Sequence, residues 1–192
     1  MRVAPLIICT LGNNYKDREN RNVGRRVAEI LVGGFGSRAV GHSLSMLTVV
    51  PGVEVLSLEE AFRQSDYGVT LTPLNGNTYA FVNAERLALM KSTTYLVNAS
   101  RGGVIDEKAL AETLWAGRIA GAALDVFATE LVASDQRFFE LSNLTLISHI
   151  ADLSVEKFRE LSLRPVAEVD RKLVKRERLV NVANSEIYEK AA

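Results

Sequence analysis

Cysteine is almost absent from this chain of 192 residues. Cys9 is its only cysteine, so no intramolecular disulfide can form, and its apolar surroundings predict that it packs as a small hydrophobic side chain. No apolar run reaches the roughly 18 residues that a membrane-spanning helix needs. No small-residue cleavage site follows the short apolar stretch near the N-terminus. These absences favour a reducing, cytoplasmic setting without a membrane partner.

The sequence also has no excess of positively or negatively charged residues. The 23 Lys and Arg residues balance 23 Asp and Glu residues, so the net charge is zero and no overall field attracts nucleic acid. The one basic run, RKLVKRER at 171–178, is typical of a solvated helix face. The 47% hydrophobic and 24% charged content is that of an ordinary globular chain with one domain, or with one domain and an appendage.

What the chain does contain is a regular alternation of strand and helix patterns. Short apolar runs predict strands, and longer amphipathic or capped segments predict helices, while the polar segment GNNYKDRENRN at 12–22 predicts a loop. This alternation predicts an α/β fold, a parallel sheet with helices on both faces. The predicted strands lie at 5–11, 38–43, 53–57, 67–74, 94–100, 119–127 and 144–150. The predicted helices lie at 23–36, 57–65, 83–92, 106–117 and 154–177, the last broken or kinked at Pro165. Asp106 is expected to cap the fourth of these helices, and Gly117 to lie just past its end.

Several polar residues follow the predicted strands directly. In parallel sheets, ligands bind at the carboxyl ends of the strands, so the residues placed there are the first candidates for a site. The stretch LVNASRGGVIDEKAL at 96–110 is the most informative, because Arg101 stands between a strand end and two glycines. Thr72 and Pro73, Asp125, and His149 hold comparable positions after other strands.

Arg101, Glu130 and His149 together suggest chemistry on a small acid. A guanidinium group grips a carboxylate with two parallel hydrogen bonds. A histidine beside a carboxylate can move a proton near neutral pH. These types suit a small keto or hydroxy acid, held by the arginine and protonated by the histidine. The alternative is that these are three unrelated surface residues, since a lone histidine at a strand end is more often structural.

Long motifs in order carry a family resemblance. LVNASRGGVIDEKALAETLWAGRIAGAALDVFATE, the upstream segment from GVEVLSLEEAF to LALMK, and LSNLTLISHIADLS resemble the D-isomer-specific 2-hydroxyacid dehydrogenases over about residues 23–184. The resemblance implies a Rossmann-like doubly wound sheet and NAD(P)-dependent hydride transfer between a nicotinamide and a small 2-keto or 2-hydroxy acid. It also implies a homodimer formed through the nucleotide domain.

The resemblance implies roles for individual residues. Arg101 would bind the substrate carboxylate and polarise the carbonyl, His149 would exchange a proton with the carbonyl oxygen, and Glu130 would hydrogen-bond His149. Asp125 would bind the nicotinamide side of the cofactor. No metal is expected. The full set of expected cofactor-binding residues is Gly12, Val23, Gly24, Ser43, Thr72, Pro73, Thr78, Ala99, Ser100, Arg101, Asp125 and His149.

The sequence departs from the family pattern near its N-terminus. Thr10 stands at the first glycine of the phosphate-binding loop, and residues 13–22 lengthen the segment between Gly12 and Gly24. Ser43 stands where the family has an acid that contacts the ribose, which leaves NAD and NADP both open as cofactors.

The beginning of the chain allows two interpretations. Val3, Ile7, Leu11 and Tyr15 recur at helical spacing, which would make this segment the helix that precedes the nucleotide domain in the family. A strand is favoured, because this strand is the centre of the expected sheet and removing it would leave two unpaired edges.

The resemblance implies a nucleotide-binding domain at 1–153 and a helical tail at 154–192 that is a remnant of a substrate domain. With little of a substrate domain in the sequence, two functions stay open. One is a dehydrogenase; the other is a non-catalytic or weakly catalytic protein of the same fold that senses nucleotide or binds partners, comparable to a corepressor.

Overall fold

A computed structural model describes residues 6–9, 18–42, 51–130 and 137–178. Seven short strands alternate with five α-helices along these residues, as the sequence patterns predict. The strands are β1 (Leu6–Cys9), β2 (Ala39–His42), β3 (Val53–Val55), β4 (Tyr67–Thr70), β5 (Tyr95–Asn98), β6 (Gly121–Leu124) and β7 (Leu144–Leu146). The helices are α1 (Arg18–Phe35), α2 (Leu58–Gln64), α3 (Ala84–Leu87), α4 (Glu107–Trp115) and α5 (Val155–Val169).

The strands form one parallel sheet in the order β3-β2-β1-β4-β5-β6-β7. β1 is central and pairs with β2 on one side and β4 on the other, so the strand order reverses there. The predicted doubly wound sheet with helices on both sides is confirmed. The strand interpretation of the N-terminal segment is also confirmed over Leu6–Cys9. A reversal of this kind is where such sheets bind ligands, beyond the carboxyl ends of the strands.

The main hydrophobic core lies between the sheet and the helices that follow β3, β4 and β5. Its largest buried side chains include Phe62 of α2, Leu96 of β5, Leu110 of α4 and Leu124 of β6. Near-continuous apolar strands make this core possible, because a parallel sheet is covered on both faces. The core therefore holds rigid the strand ends that carry the candidate site.

Helix α4 begins and ends at the residues that the sequence indicates. The Asp106 carboxylate accepts a hydrogen bond from the Ala109 amide at 3.0 Å, which caps the helix. Gly117, with φ of 62°, ends it in a conformation that favours glycine. This helix follows Arg101 directly and so fixes the downstream end of that loop.

Helix α1 begins earlier than predicted. It starts at Arg18, so the predicted loop is wrong over residues 18–22. The polar composition of this segment suggested a loop, but Arg, Glu and Asn are tolerated in the first turn of a long amphipathic helix.

Two compact units divide the chain, at residues 1–149 and 150–192. The second contains α5, in which the Ser154 hydroxyl accepts from the Lys157 amide at 3.1 Å as the N-cap. The predicted break at Pro165 is wrong, because α5 continues through it to Val169 and then widens into a π-helical turn at Asp170–Val174. A proline inside a helix removes one backbone hydrogen bond without necessarily ending the helix. That this unit is a remnant of a substrate domain stays a prediction.

The substitution of Gly33 by alanine tests how much this position limits the stability of helix α1. It is exposed, lies inside the helix, and a Cβ added there meets no atom within 4 Å. Gly33→Ala should therefore raise the free energy of unfolding by about 1 kcal/mol, because alanine restricts the unfolded chain and favours the helix. Denaturant unfolding measures this. Gly36→Ala is the matched control and should destabilise, since Gly36 has φ of 61°; equal effects of the two variants would contradict the account.

Candidate active site

The turn that follows β5 is fixed by a buried asparagine. The Asn98 Oδ1 atom accepts from the Thr70 hydroxyl at 2.8 Å, from the Ser100 amide at 3.1 Å and from the Ser100 hydroxyl at 2.8 Å. The Asn98 Nδ2 atom donates to the Arg101 carbonyl at 3.1 Å. Asn98 is only 1% exposed, so these bonds are made away from water, where they contribute most to rigidity. The turn therefore presents Arg101 from a fixed backbone.

Sequence reasoning missed Asn98. The available signal was a polar residue at the end of the otherwise apolar strand sequence YLVN. An amide buried at that position needs several partners, and the neighbouring turn is the nearest source of them.

Arg101 itself is exposed at the carboxyl edge of the sheet. Its Nη1 atom donates to the Ser100 carbonyl at 2.6 Å, which orients the guanidinium group beside the turn. A guanidinium carries five N–H donors, and this bond uses one of them. That Arg101 binds a substrate carboxylate stays a prediction.

Gly102 permits two loops to lie in direct backbone contact. A Cβ added to Gly102 would lie 1.8 Å from the Phe127 carbonyl carbon and 2.2 Å from the Ala128 amide nitrogen. No side chain larger than hydrogen fits there. The glycine after Arg101 therefore brings the loop that follows β6 against the loop that follows β5.

His149 and Glu130 form a pair at the same edge. The His149 Nδ1 atom lies 3.1 Å from the Glu130 Oε1 atom, and both side chains are about half exposed. The backbone turns sharply at His149, with φ of 55°, and the His149 amide donates to the Asp125 carbonyl at 2.8 Å. A residue with positive φ other than glycine is uncommon and must be held by its surroundings, as it is here.

Buried polar side chains line the ends of the central strands. Thr72, Ser100 and Asp125 are 1%, 8% and 7% exposed, respectively. Thr78 is also buried, and its hydroxyl donates to the Pro73 carbonyl at 2.6 Å and accepts from the Asn75 amide at 2.8 Å. Thr78 therefore shapes the turn after β4. Ala99 is exposed beside Ser100. Roles of these residues toward a cofactor stay predictions.

The expected phosphate-binding end of the site is only partly described. Gly12 and Ser43 lie outside the described residues. Val23 and Gly24 lie within α1, more than one turn after its first residue Arg18. Amides at that depth are engaged in the helix, whereas phosphates are bound by the free amides of a helix's first turn. Their position thus offers no free amide, and their cofactor role stays a prediction.

Glu107 is a titratable residue of this region that sequence reasoning missed. Its Oε1 atom accepts from the Ala128 amide at 2.5 Å, across a separation of 21 residues. Burial raises the pKa of the Glu107 carboxyl above its usual value of 4.5; the Ala128 hydrogen bond opposes this shift, and the charge of Glu130 adds to it. The charge of Glu130 therefore acts on the Glu107 carboxyl beside His149.

The raised pKa of Glu107 makes a prediction about pH. The folded protein binds this proton more tightly than the unfolded chain, so the contribution to stability is full below the unfolded pKa near 4.5 and is lost as pH rises through the higher folded pKa. Glu107→Gln removes this titration. The free energy of unfolding of the variant, relative to that of the native protein, should rise as the pH is raised from about 4 to about 7. Thermal unfolding at both pH values measures the change; a gain toward low pH would contradict it.

The described parts of the chain contain neither a metal-binding cluster nor a membrane-spanning helix. Among these residues, no group of three or more His, Cys, Asp or Glu side chains is arranged to hold a metal ion. No helix in the same residues combines the length and the apolar character that crossing a bilayer requires.

Residues 22–151 match the model of the family described as D-isomer specific 2-hydroxyacid dehydrogenase, NAD binding domain. The matched segment is more than half of the chain and includes Arg101, Glu130 and His149. The chain belongs to this family. The match begins only at residue 22, after the segment in which the sequence departs from the family's glycine pattern.

Three relatives in this dehydrogenase family illustrate the similarity. A glyoxylate reductase of Thermococcus onnurineus is 42% identical over 120 residues, which are 61% of this chain and 36% of that protein. A hydroxypyruvate reductase of Thermotoga maritima is 30% identical over 79% of this chain and 50% of its own length. A D-isomer specific 2-hydroxyacid dehydrogenase of Xanthobacter autotrophicus Py2, solved with NADPH and MES, has a TM-score of 0.72 at 27% identity, covering 92% of this chain and 69% of that one. The chain thus spans about a third to a half of the curated relatives it matches.

The described residues fit the nicotinamide end of such a cofactor. The strand order reverses at β1 and β4, and the buried polar side chains Thr72, Ser100 and Asp125 follow the strands on one side of that reversal. Polar groups buried at a ligand-binding edge suit the amide-bearing ring of a nicotinamide.

Proposed function

We propose that this chain carries the nucleotide-binding and acid–base half of an NAD(P)-dependent oxidoreductase that interconverts a small 2-keto acid and a 2-hydroxy acid. The observation that carries the proposal is the hydrogen-bonded pair of His149 and Glu130 at the carboxyl edge of the sheet. A histidine that is oriented by a carboxylate is the arrangement that general acid–base catalysis requires.

The sheet sets the distance between the two ends of the substrate site. Arg101 follows β5 and His149 follows β7, with β6 between them. Adjacent strands lie about 4.8 Å apart, so the two strand ends are separated by about 10 Å. The arginine and histidine side chains, if turned toward each other from these ends, would leave room for an acid of a few carbon atoms. Arg101 would bind its carboxylate, and His149 would reach its carbonyl or hydroxyl oxygen.

The reaction divides between the cofactor and the protein. A bound NAD or NADP supplies or accepts the hydride. His149 donates the proton to the carbonyl oxygen in reduction and takes it back in oxidation, while Glu130 holds the imidazole in orientation and balances its charge. Arg101 fixes the substrate carboxylate and draws electron density from the neighbouring carbonyl. Asp125 lies at the nicotinamide end.

The relatives' names narrow the choice of substrate. Two of them are a glyoxylate reductase and a hydroxypyruvate reductase, and both names describe short 2-keto acids. We therefore favour a 2-keto acid of two or three carbon atoms as the substrate of this chain. We also propose a homodimer, a cytoplasmic setting, and a tail at 154–192 that derives from a substrate domain.

The second candidate function is nucleotide binding with little or no catalytic turnover. Val23 and Gly24 lie inside α1, away from the helix start where pyrophosphate is bound, which favours a weakly catalytic protein that senses nucleotide or binds a partner.

One experiment separates the two functions. The protein is mixed with NADH or NADPH and with glyoxylate, hydroxypyruvate or pyruvate, and the loss of nicotinamide absorbance is followed. The dehydrogenase proposal expects turnover with at least one pair. A nucleotide that raises the melting temperature without any turnover would favour the sensor. Neither turnover nor a change in melting temperature would overturn both.

A further inference from the structure

The loop that carries Glu130 leaves the sheet at the end of β6 and is held by its backbone. The Asp125 amide donates to the Asn98 carbonyl at 3.0 Å, and the Asp125 carbonyl accepts from the His149 amide at 2.8 Å. These bonds fix the beginning of the loop. Glu130 lies five residues further on and is half exposed, so another contact must hold the loop nearer to its carboxylate.

Glu107 provides that contact. It is the first residue of α4, whose N-terminus is already capped by Asp106. The Glu107 side chain is therefore not needed as a helix cap. Its carboxylate instead accepts a hydrogen bond from the Ala128 amide at 2.5 Å. Ala128 precedes Glu130 by two residues and adjoins the point where the Phe127 backbone lies against Gly102. The loop therefore lies against Gly102, which precedes α4, and is hydrogen-bonded to Glu107, the first residue of α4.

We propose that Glu107 is the positioning residue of the Glu130–His149 pair. Its carboxylate accepts a hydrogen bond from the Ala128 amide and so fixes the loop that presents Glu130 to His149. The catalytic meaning of this inference rests on the proposed function, whereas the anchor itself does not. Reach, rather than charge, is the property that Glu107 must supply, because the amide needs an acceptor oxygen at a fixed distance.

Two substitutions separate reach from charge. Glu107→Gln keeps the acceptor oxygen at the same distance and removes the charge. Glu107→Asp keeps the charge and withdraws the oxygen by one methylene group. Glu112→Asp, at an exposed position on the same helix, is the matched control. The anchor predicts that the Ala128 amide stays hydrogen-bonded in Glu107→Gln as in the native protein, that this bond is lost in Glu107→Asp, and that the control leaves it unchanged.

Amide hydrogen exchange and the nitrogen resonances of the histidine rings provide readouts that do not depend on turnover. In Glu107→Asp the Ala128 amide should exchange about tenfold faster, as the loss of one hydrogen bond implies. The His149 ring resonances should shift more in Glu107→Asp, which loses the contact, than in Glu107→Gln, which keeps the contact and loses only the charge. His42 is the only other histidine and serves as the internal reference. A protected Ala128 amide with native His149 resonances in Glu107→Asp would overturn the proposal.

Kinetics connect the anchor to catalysis. For a protein that turns over, kcat should fall by about 10- to 100-fold in Glu107→Asp, because a displacement of about 1 Å is enough for such a loss. KM should stay near its native value, since Arg101 is untouched. A protein without turnover would count against the proposed function, while the exchange and ring resonances would still decide the anchor.

One measurement avoids the variants altogether. In the native protein, a scalar coupling through the hydrogen bond should join the Ala128 nitrogen to the Glu107 side-chain carboxyl carbon. Should Glu107→Asp fail to fold, this coupling decides: its presence supports the anchor, and its absence overturns it.

Discussion

Replacing His149 with asparagine should lower kcat/KM for 2-keto acid reduction by about 10²- to 10⁴-fold, the usual contribution of a positioned proton donor. Asparagine tolerates the positive φ of 55° at this position and keeps an N–H group near Glu130, so the loop is expected to hold its shape. What the variant loses is a group that can give and take a proton near neutral pH. Steady-state oxidation of NADH or NADPH measures the loss.

His42→Asn is the matched control for that result. His42 ends β2, where its Nδ1 atom lies 3.1 Å from the Leu56 carbonyl oxygen, and it has no place in the proposed chemistry. Its substitution should leave kcat within a small factor of the native value. Equal losses in the two variants would indicate a general effect of removing a histidine and would contradict the assignment of His149.

Replacing Gly102 with alanine should both destabilise the fold and impair the site. The new Cβ would overlap the backbone of Phe127 and Ala128, and backbone atoms cannot move aside as a flexible side chain can. Overpacking of this kind costs about 1–3 kcal/mol or more. Because the displaced loop carries Glu130, kcat should fall as well. Chemical unfolding gives the first effect, and the nicotinamide assay gives the second.

Gly76→Ala is the control for overpacking. Gly76 lies in the exposed turn after β4, and an added Cβ there meets nothing within 4 Å. Its free energy of unfolding should stay close to that of the native protein. A Gly102→Ala variant as stable as Gly76→Ala would show that the two loops do not touch as described.

The parallel sheet and the edge that holds the site could be predicted from the sequence. Apolar runs such as YLVN and GAAL alternate with capped helices, and that rhythm is sufficient to indicate a parallel sheet. The positions of Arg101, Asp125 and His149 after strands then follow from the fold. The cap Asp106 and the terminator Gly117 were equally readable, because both act through local backbone chemistry.

Contacts between distant segments could not be predicted in the same way. The bond from Ala128 to Glu107 spans 21 residues, and nothing in the local sequence indicates it. The overlap that makes Gly102 indispensable depends on how two loops meet, which a sequence pattern does not specify. The predicted start of α1 was wrong for a different reason. The polar residues at 18–22 have the composition of a loop, but they form the first turn of the amphipathic helix that follows them in sequence.

The most direct test of the central claim is transfer of a labelled hydride. NADH or NADPH carrying deuterium at the reactive nicotinamide carbon is incubated with the protein and glyoxylate, and the glycolate formed is examined by mass spectrometry. The account predicts that the native chain forms deuterated glycolate. His149→Asn should form at least about 10²-fold less deuterated glycolate in the same time. Glycolate without deuterium, or equal labelling with both proteins, would contradict the claim that this site performs hydride transfer with His149 as its proton donor.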